Sequence, residues 1–360
     1  MTRSASPPRK KIPVAVLGAT GAVGQTFVRL LANHPWFELA ELAASERSAG
    51  KSYGDAARWL EGDRPDARIL GRAVIACDPA AVKSPIVFSA LDSSAAGDAE
   101  VAFAKAGKLV LSNAKNHRMD PDVPLVIPEI NGDHLGLLEE QRRKRGWKGG
   151  IVTNANCSAT VAAMALAPLH QAFGLKQVFL TTMQAISGAG YPGVASLDII
   201  GNVIPYIADE EPKLERELGK LLGALRGNEI AEDDFVVSSH TNRVPVEHGH
   251  TICATIGFKK RVTPEQAIKV LRSWKGYGGA QNLPSAPAEP LIVRDEPDRP
   301  QPRRDVNEGG GMSVTVGRVR RDPILDIRLV AMGHNTVRGA AGGSVMNAEL
   351  LVSSGAVNLA

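Results

Sequence analysis

The stretch Lys11–Pro35, "KIPVAVLGATGAVGQTFVRLLANHP", decides the fold. Its opening "KIPVAVLG" is a short, nearly continuous apolar run closed by glycine, which predicts a buried strand. From Gly21 the spacing of apolar residues turns helical and stops at Pro35, which predicts a helix. Between the two lie Gly18, Gly21 and Gly24, in a G-x-x-G-x-x-G pattern directly after a strand and opening a helix. Missing side chains there let the backbone approach a pyrophosphate, which the free N–H groups and dipole of a helix start stabilise. The pattern departs from G-x-G-x-x-G, and alone it also fits a tight structural turn.

Working outward, "FELAELAAS" reads as a second strand, and "SPIVFSALD", a helix over "AGDAEVAFAKAG" and "KLVLSN" repeat the βαβ alternation of a doubly wound parallel sheet. The second strand ends in "SERSAGK", where dinucleotide enzymes place the group that reads the ribose. Arg47 flanked by Ser45 and Ser48 suits a 2′-phosphate and favours NADP, whereas Glu46 suits a ribose diol.

From about residue 156 the grammar changes. A helix over Cys157–Phe173 precedes longer strand-like runs, "KQVFLTTMQAI", "HTICATIGF" and "MSVTVGRVRRDPILDIRLVAM", with helices at "EEPKLERELGKLLGAL" and "TPEQAIKVLRSW". This predicts a mixed or antiparallel sheet. The Pro-rich "NLPSAPAEPLIVRDEPDRPQPRRD" reads as a long connection. "NTVRGAAGGSVMNAELLVSSG" reads as a Gly-rich turn running into an amphipathic helix that packs back on the first unit. The expected organisation is a disordered tail at 1–10, a nucleotide domain of 11–155 plus 336–360, and a catalytic and oligomerisation domain of 156–335.

The chain has 360 residues, 44% hydrophobic and 22% charged, and its net charge of +4 is spread among 38 acidic residues. The densest basic cluster, "QRRKRGWKGG", is short and lacks interleaved aromatics, so a nucleic-acid face is not expected. No apolar run has the length of a membrane span, and the basic N-terminus is not followed by the apolar segment of a secretory signal. Cys77, Cys157 and Cys253 lie far apart in no C-x-x-C arrangement. A disulfide framework and a metal site are therefore not expected, and a reducing, cytoplasmic compartment is.

A free cysteine is more often a packing residue than a catalyst. Cys77 and Cys253, inside the apolar runs "AVIACD" and "TICATIGF", read that way. Cys157 differs, because "TNANCSATVAAMALAPL" puts it after two asparagines and in the first turn of a helix. Partial positive charge there lowers a thiol pKa and can hold an oxyanion. A thiolate nucleophile needs a proton partner. Among eight histidines, His34 ends a helix, and His134 and His170 fall on helices where surface or core packing suffices. In "SSHTNRVPVEHGHTICATIGF" Arg243, His248 and His250 cluster at the start of a buried strand, and spacing alone does not choose between the two histidines.

The ordered set "GATGAVGQTFVRLLANHPWFEL", "SNAKNHRMDPDVPLVIPEIN", "NANCSAT", "QAISGAGYPG", "RVPVEHGHT", "DEPDRPQPR" and "GHNTVRGAAGGSV" resembles the aspartate-semialdehyde dehydrogenase family, in its archaeal and fungal branch, over roughly residues 12 to 355. The resemblance implies an α/β fold: a Rossmann-type parallel sheet domain, completed by the C-terminal helix, plus an α+β catalytic and dimerisation domain with a mixed sheet, as in glyceraldehyde-3-phosphate dehydrogenase. It also implies NADPH-dependent reductive dephosphorylation of L-4-aspartyl phosphate in a homodimer or homotetramer, with phosphate and aspartyl phosphate as its small-molecule partners.

The resemblance assigns the residues too. Cys157 is the nucleophile and His250 the acid/base, with Asn156 and Gln184 assisting. Arg243 grips the substrate carboxylate and Glu210, or its neighbour Glu211, the ammonium. Asn113, Lys115, Arg118 and Lys213 hold the phosphate. The cofactor is held by Gly18, Thr20, Gly21, Ala22, Val23 and Gly24, by Ser45, Arg47, Ser48 and Ser89, and by Ser187, Gly188 and Asn335 around the nicotinamide. The chain departs from the commoner "SNCST" form at Ala155 and Ala159. Malonyl-CoA and succinyl-CoA reductases share the scaffold and thioester chemistry, and N-acetyl-glutamyl-phosphate reductase is a further relative. Glu210 and Arg243 favour an amino-acid substrate. A catalytically silent nucleotide-binding regulator would not need Cys157, His250 and the anion-binding residues together.

Overall fold

The computed structural model describes residues 8–355, so most of the expected tail lies outside the described residues. Seven strands, β1 (Ile12–Leu17), β2 (Phe37–Ala44), β3 (Val74–Ala76), β4 (Ile86–Ser89), β5 (Leu109–Ser112), β6 (Leu125–Val126) and β7 (Gly150–Asn154), form one sheet in the order β3-β2-β1-β4-β5-β7-β6. Every pairing in it is parallel. Order reverses between β1 and β4, and crevices at such switch points, outside the carboxyl ends of strands, are where α/β sheets bind ligands. Helix α1 (Ala22–Leu31) follows β1 as the glycine pattern predicts, and α2 (Ser93–Lys105) joins β4 to β5. Val14, Val16, Phe27, Phe37, Ile86 and Phe88 are fully buried in the core beneath α1.

Residue 156 leads from the end of β7 straight into α3 (Cys157–Phe173), buried along most of its length. β8 (Leu175–Gln184), the ribbon β9 (Ala224–Arg226) and β10 (Glu229–Ala231), β11 (Val236–Arg243), β12 (His250–Phe258), β13 (Leu291–Val293), β14 (Val314–Arg321) and β15 (Ile327–Gly333) follow. Six of them make a mixed sheet in the order β11-β8-β12-β15-β14-β13. α3, α4 (Glu210–Leu222) and α5 (Pro264–Ser273) cover one face, packing Leu214, Leu218, Ala267 and Leu271 against Leu180, Ile252, Ala254 and Leu329. The other face carries exposed Phe179, Val236 and Cys253.

Three expectations change. Cys253 is exposed rather than packed, because strand alternation sends Ile252 and Ala254 inward and Cys253 to the bare face. The Pro-rich connection contains β13, which pairs in parallel with β14 as an edge strand, where prolines on either side are tolerated. The C-terminal helix α6 (Gly342–Ser354) is not amphipathic. It is buried on all sides from Gly342 to Leu351, entering through a π-helical turn at Val337–Ala341 and completing the core of the parallel sheet.

Candidate active site

The two sheets aim one end each at a shared cleft. On the parallel sheet, the carboxyl ends of β1, β4, β5 and β7 supply the glycine turn, Leu91 to Ser93, Asn113 and the Cys157 helix. On the mixed sheet, β8 and β11 end in Gln184 and Arg243, and antiparallel β12 begins with His250. The cleft has a volume of about 330 Å³ and runs from Val23 to Cys157, past Lys115, Arg118, Glu210 and Lys213.

Asn156 is the N-cap of α3. Its Oδ1 accepts from the backbone N–H of Ser158 (2.9 Å) and Ala159 (3.1 Å), a cap of the kind that contributes about 1 kcal/mol. Its Nδ2 donates to both carboxylate oxygens of Glu210, at 3.0 Å each. Cys157 thereby takes the first helical position, with Sγ 3.1 Å from Nε2 of fully buried His250. That contact selects His250 over His248, which instead lies against His334 with ring centroids 5.0 Å apart.

The backbone fixes the histidine tautomer. Ala185 donates its N–H to Nδ1 at 3.0 Å, so Nδ1 bears no proton and the neutral ring carries it on Nε2, facing the sulfur. An imidazolium would set Nδ1–H against the Ala185 N–H. Burial, together with the charge of Arg243, also holds the imidazole pKa well below its usual range. The thiol does not show the lowered pKa expected of a helix start. Burial and the Glu210 carboxylate push it up, outweighing Arg118, Arg243 and the Ser158 N–H. The resting pair is therefore a neutral thiol beside a neutral imidazole. Because the thiolate is the reactive form, the rate of Cys157 alkylation by iodoacetamide in the free enzyme is expected to climb about tenfold per pH unit from 7 to 9.5. A plateau below pH 8 would contradict this.

Glu210 is buried, which alone would raise its pKa, but Lys213 (2.9 Å), Asn156 and Gln184 (3.3 Å) hold the carboxyl below its usual range. Glu211 is committed elsewhere, accepting the Thr241 N–H of β11 at 3.1 Å, so Glu210 is the acidic group at the cleft. Arg243 donates to the Ala185 carbonyl at 2.8 Å and lies beneath Gly188. A Cβ on Gly188 would come within 3.0 Å of both the Arg243 guanidinium and the His250 ring, so only glycine lets this loop close over them. Lys115 pairs with Asp209 at 2.7 Å at the cleft mouth. Asn113 donates to the Ser89 carbonyl at 3.1 Å.

The residues at the glycine turn fit a dinucleotide. Gly18 has a φ of +71° and approaches Ala90 too closely for a side chain, and a Cβ on Gly24 would lie 2.2 Å from the Gly18 carbonyl oxygen. Gly21, by contrast, is exposed, and with Thr20, Ala22 and Val23 it leaves the helix start open to a ligand. Ser45 and Arg47 stand exposed beside Ser48 at the end of β2, clear for a phosphate. Asn335 ties the Ser187 loop to the start of β12, donating to Ser187 Oγ (2.8 Å) and accepting the Gly249 N–H (2.9 Å) next to His250. Ser89 is the exception: its side chain is fully buried beside Glu100 and does not reach the cleft surface.

Three residues, Gly339, Arg338 and Glu217, escape a reading by motif. A Cβ on Gly339 would lie 2.7 Å from the Cys157 Cβ, so glycine is required where the π-helical turn crosses Cys157. Its neighbour Arg338 makes a buried two-pronged pair with Glu129 (2.6 and 2.7 Å) that pins this turn. Glu217 accepts from Arg118 and from the Asn156 N–H. The pattern E-x-x-K-x-x-x-E-x-x-K along α4 is the only sequence trace of it.

Fold and site together define a nicotinamide-dependent dehydrogenase whose cleft holds a cysteine against a buried histidine. Residues 13–138 match the semialdehyde dehydrogenase NAD-binding domain and residues 166–338 the semialdehyde dehydrogenase dimerisation domain. The chain is 50% identical over 339 residues to aspartate-semialdehyde dehydrogenase of Archaeoglobus fulgidus, covering 94% of this chain and 97% of the relative. Among solved structures it resembles that of aspartate semialdehyde dehydrogenase with NADP from Candida albicans, at a TM-score of 0.88 and 40% identity, covering 97% of this chain and 100% of that one. It also resembles aspartate semialdehyde dehydrogenase II complexed with ASA from Vibrio cholerae, at a TM-score of 0.75 and 28% identity, covering 95% and 98%. The chain belongs to the aspartate-semialdehyde dehydrogenase family, and the archaeal and fungal likeness is the one its motifs suggested.

Proposed function

We propose that the protein catalyses NADPH-dependent reductive dephosphorylation of L-4-aspartyl phosphate to L-aspartate 4-semialdehyde, a step toward lysine, threonine and methionine, through a thioester on Cys157. The single observation that carries this is the contact of Cys157 Sγ with His250 Nε2, in a cleft that holds a carboxylate, Glu210, beside the cations Lys115, Arg118 and Lys213.

Arg243 binds the substrate α-carboxylate as a planar fork and Glu210 its α-ammonium, oriented by Asn156 and Gln184. Asn113, Lys115, Arg118 and Lys213 take the phosphate. The Cys157 thiol first loses its proton to solvent in a pre-equilibrium, and the thiolate so formed, stabilised by the Nε2–H of His250, attacks the acyl carbonyl. The first N–H groups of α3 stabilise the oxyanion, and collapse expels phosphate and leaves the thioester. When bound, NADPH supplies the hydride that reduces the thioester carbonyl. Breakdown of the thiohemiacetal then releases the aldehyde and returns the thiolate to the His250 donor.

Gly18, Thr20, Gly21, Ala22, Val23 and Gly24 would hold the pyrophosphate, Ser187, Gly188 and Asn335 the nicotinamide end, and Ser45, Arg47 and Ser48 the 2′-phosphate. Arg47→Ala is expected to weaken NADPH about 30-fold and NADH less than about threefold, read by fluorescence titration. Equal losses would refute the 2′-phosphate role.

The bare face of the mixed sheet, with exposed Phe179 and Val236, supports association of copies as a homodimer or a homotetramer. We take 11–155 plus 336–360 and 156–335 as the two domains. Three free cysteines suit a reducing compartment such as the cytoplasm, and no helix among the described residues is long and apolar enough to cross a membrane.

The testing assay is oxidation of aspartate semialdehyde with NADP or NAD, with and without phosphate, beside reduction of malonyl-CoA. Strict phosphate dependence with NADP supports the reading. CoA-thioester reduction without phosphate-dependent oxidation would replace it with the CoA-reductase alternative.

A further inference from the structure

Helix α4 carries Glu210, Lys213, Glu217 and Lys220 at three- and four-residue spacing, so the four share a face. Such a charged face ordinarily meets water. Here Glu217 is 2% and Lys220 3% exposed, and burying a charge is costly unless every donor and acceptor is matched. They are matched against the 118–123 loop and the start of α3. Lys220 spends its three donors on the backbone carbonyls of Arg118 (2.8 Å), Asp120 (2.7 Å) and Val123 (2.8 Å). Glu217 accepts from the Arg118 guanidinium on Oε1 (2.9 Å) and from the Asn156 backbone N–H on Oε2 (2.6 Å). Arg118 reaches on to the Asn113 carbonyl at 2.7 Å.

The geometry points to Glu217 as a positioning residue that joins the phosphate subsite to the nucleophile's helix start. It touches neither the sulfur nor the cleft. One of its oxygens orients the cation that lines the cleft, and the other fixes the backbone of the residue that caps α3 and aims at Glu210. A phosphate drawing on Arg118 is thus linked, through one carboxylate, to the turn that presents Cys157. Lys220 holds the same loop from below and keeps Arg118 within reach. This inference rests on the assignment of phosphate to Lys115, Arg118 and Lys213.

The test is steady-state oxidation of aspartate semialdehyde with NADP, varying phosphate and aldehyde separately, in wild type, Glu217→Gln and Glu217→Asp. Glutamine must present an amide N–H to one of two donors, and aspartate keeps the charge but is one methylene short of spanning both. In each variant the phosphate KM is expected to rise about tenfold or more and kcat to fall, with the aldehyde KM within about twofold, since Arg243 is untouched and Glu210 keeps Lys213 and Gln184 as partners. With Arg118→Met as background, adding Glu217→Gln is expected to raise the phosphate KM no further. An unchanged phosphate KM in whichever variant folds, or parallel rises in both KM values, overturns the inference. Absence of phosphate dependence in the wild type overturns the functional reading instead, before any variant is compared.

Discussion

Cys157→Ala is expected to lower kcat in both directions on the order of 10⁴-fold or more while the NADPH dissociation constant stays within about twofold of wild type. The loss is chemical, since no other nucleophile is placed to take its part: Cys77 is part-buried on the parallel-sheet domain and Cys253 lies on the bare face of the mixed sheet. Nucleotide binding survives because the glycine turn and the Arg47 loop belong to the other half of the cleft. Cys157 caps nothing itself. Asn156 holds the helix start through the Ser158 and Ala159 N–H groups, so the α3 terminus persists in the variant. Rapid-mixing absorbance at the nicotinamide band, with a parallel binding titration, reads both quantities. Turnover within tenfold of wild type would remove the sulfur from the mechanism.

Arg243→Leu is expected to cut kcat/KM for aspartate semialdehyde about 10³-fold, chiefly through KM, because the variant loses a charged, forked partner for the α-carboxylate in a buried site. A second effect follows from charge. Arg243 pulls the Cys157 thiol pKa down and the His250 pKa down as well. Without it the thiol rises further and the imidazole returns toward its ordinary value, so alkylation of Cys157 at a fixed pH slows. Arg243→Lys restores the charge without the fork. It is expected to recover the alkylation rate and little of the KM, which separates substrate grip from electrostatics. An unchanged KM in Arg243→Leu would move the carboxylate contact elsewhere.

Much of this was legible in the chain. A strand, a glycine turn and a helix in 25 residues from Lys11 to Pro35 fix the parallel sheet, since that order has few other folded outcomes. The helix start at Cys157 was legible because an asparagine cap followed by a small-residue run leaves little choice. Legibility failed where a residue's surroundings come from distant chain. "TICATIGF" looks buried on both faces because its outward positions, Cys253 and Thr255, are small and uncharged, and nothing local marks Cys253 as exposed. The Gly342–Leu351 helix is enclosed by strands from the far end of the sequence, which no local periodicity reports. The thiol pKa is raised by burial and then by Glu210, 53 residues away, against the local influence of the helix start. Glu217 was hidden for the same reason: its partners Arg118 and Asn156 lie 99 and 61 residues away.

The central claim, that Cys157 takes the aspartyl group and expels phosphate before any reduction, is tested most directly without nicotinamide. Enzyme mixed with aspartyl phosphate and quenched in acid should release a burst of phosphate equal to the active sites and carry an aspartyl adduct on the Cys157 peptide by mass spectrometry. In a parallel sample, NADPH added before the quench should clear the adduct as aldehyde. No burst and no adduct, in enzyme that turns over normally when NADPH is present, would contradict the thioester and the role of Cys157 with it.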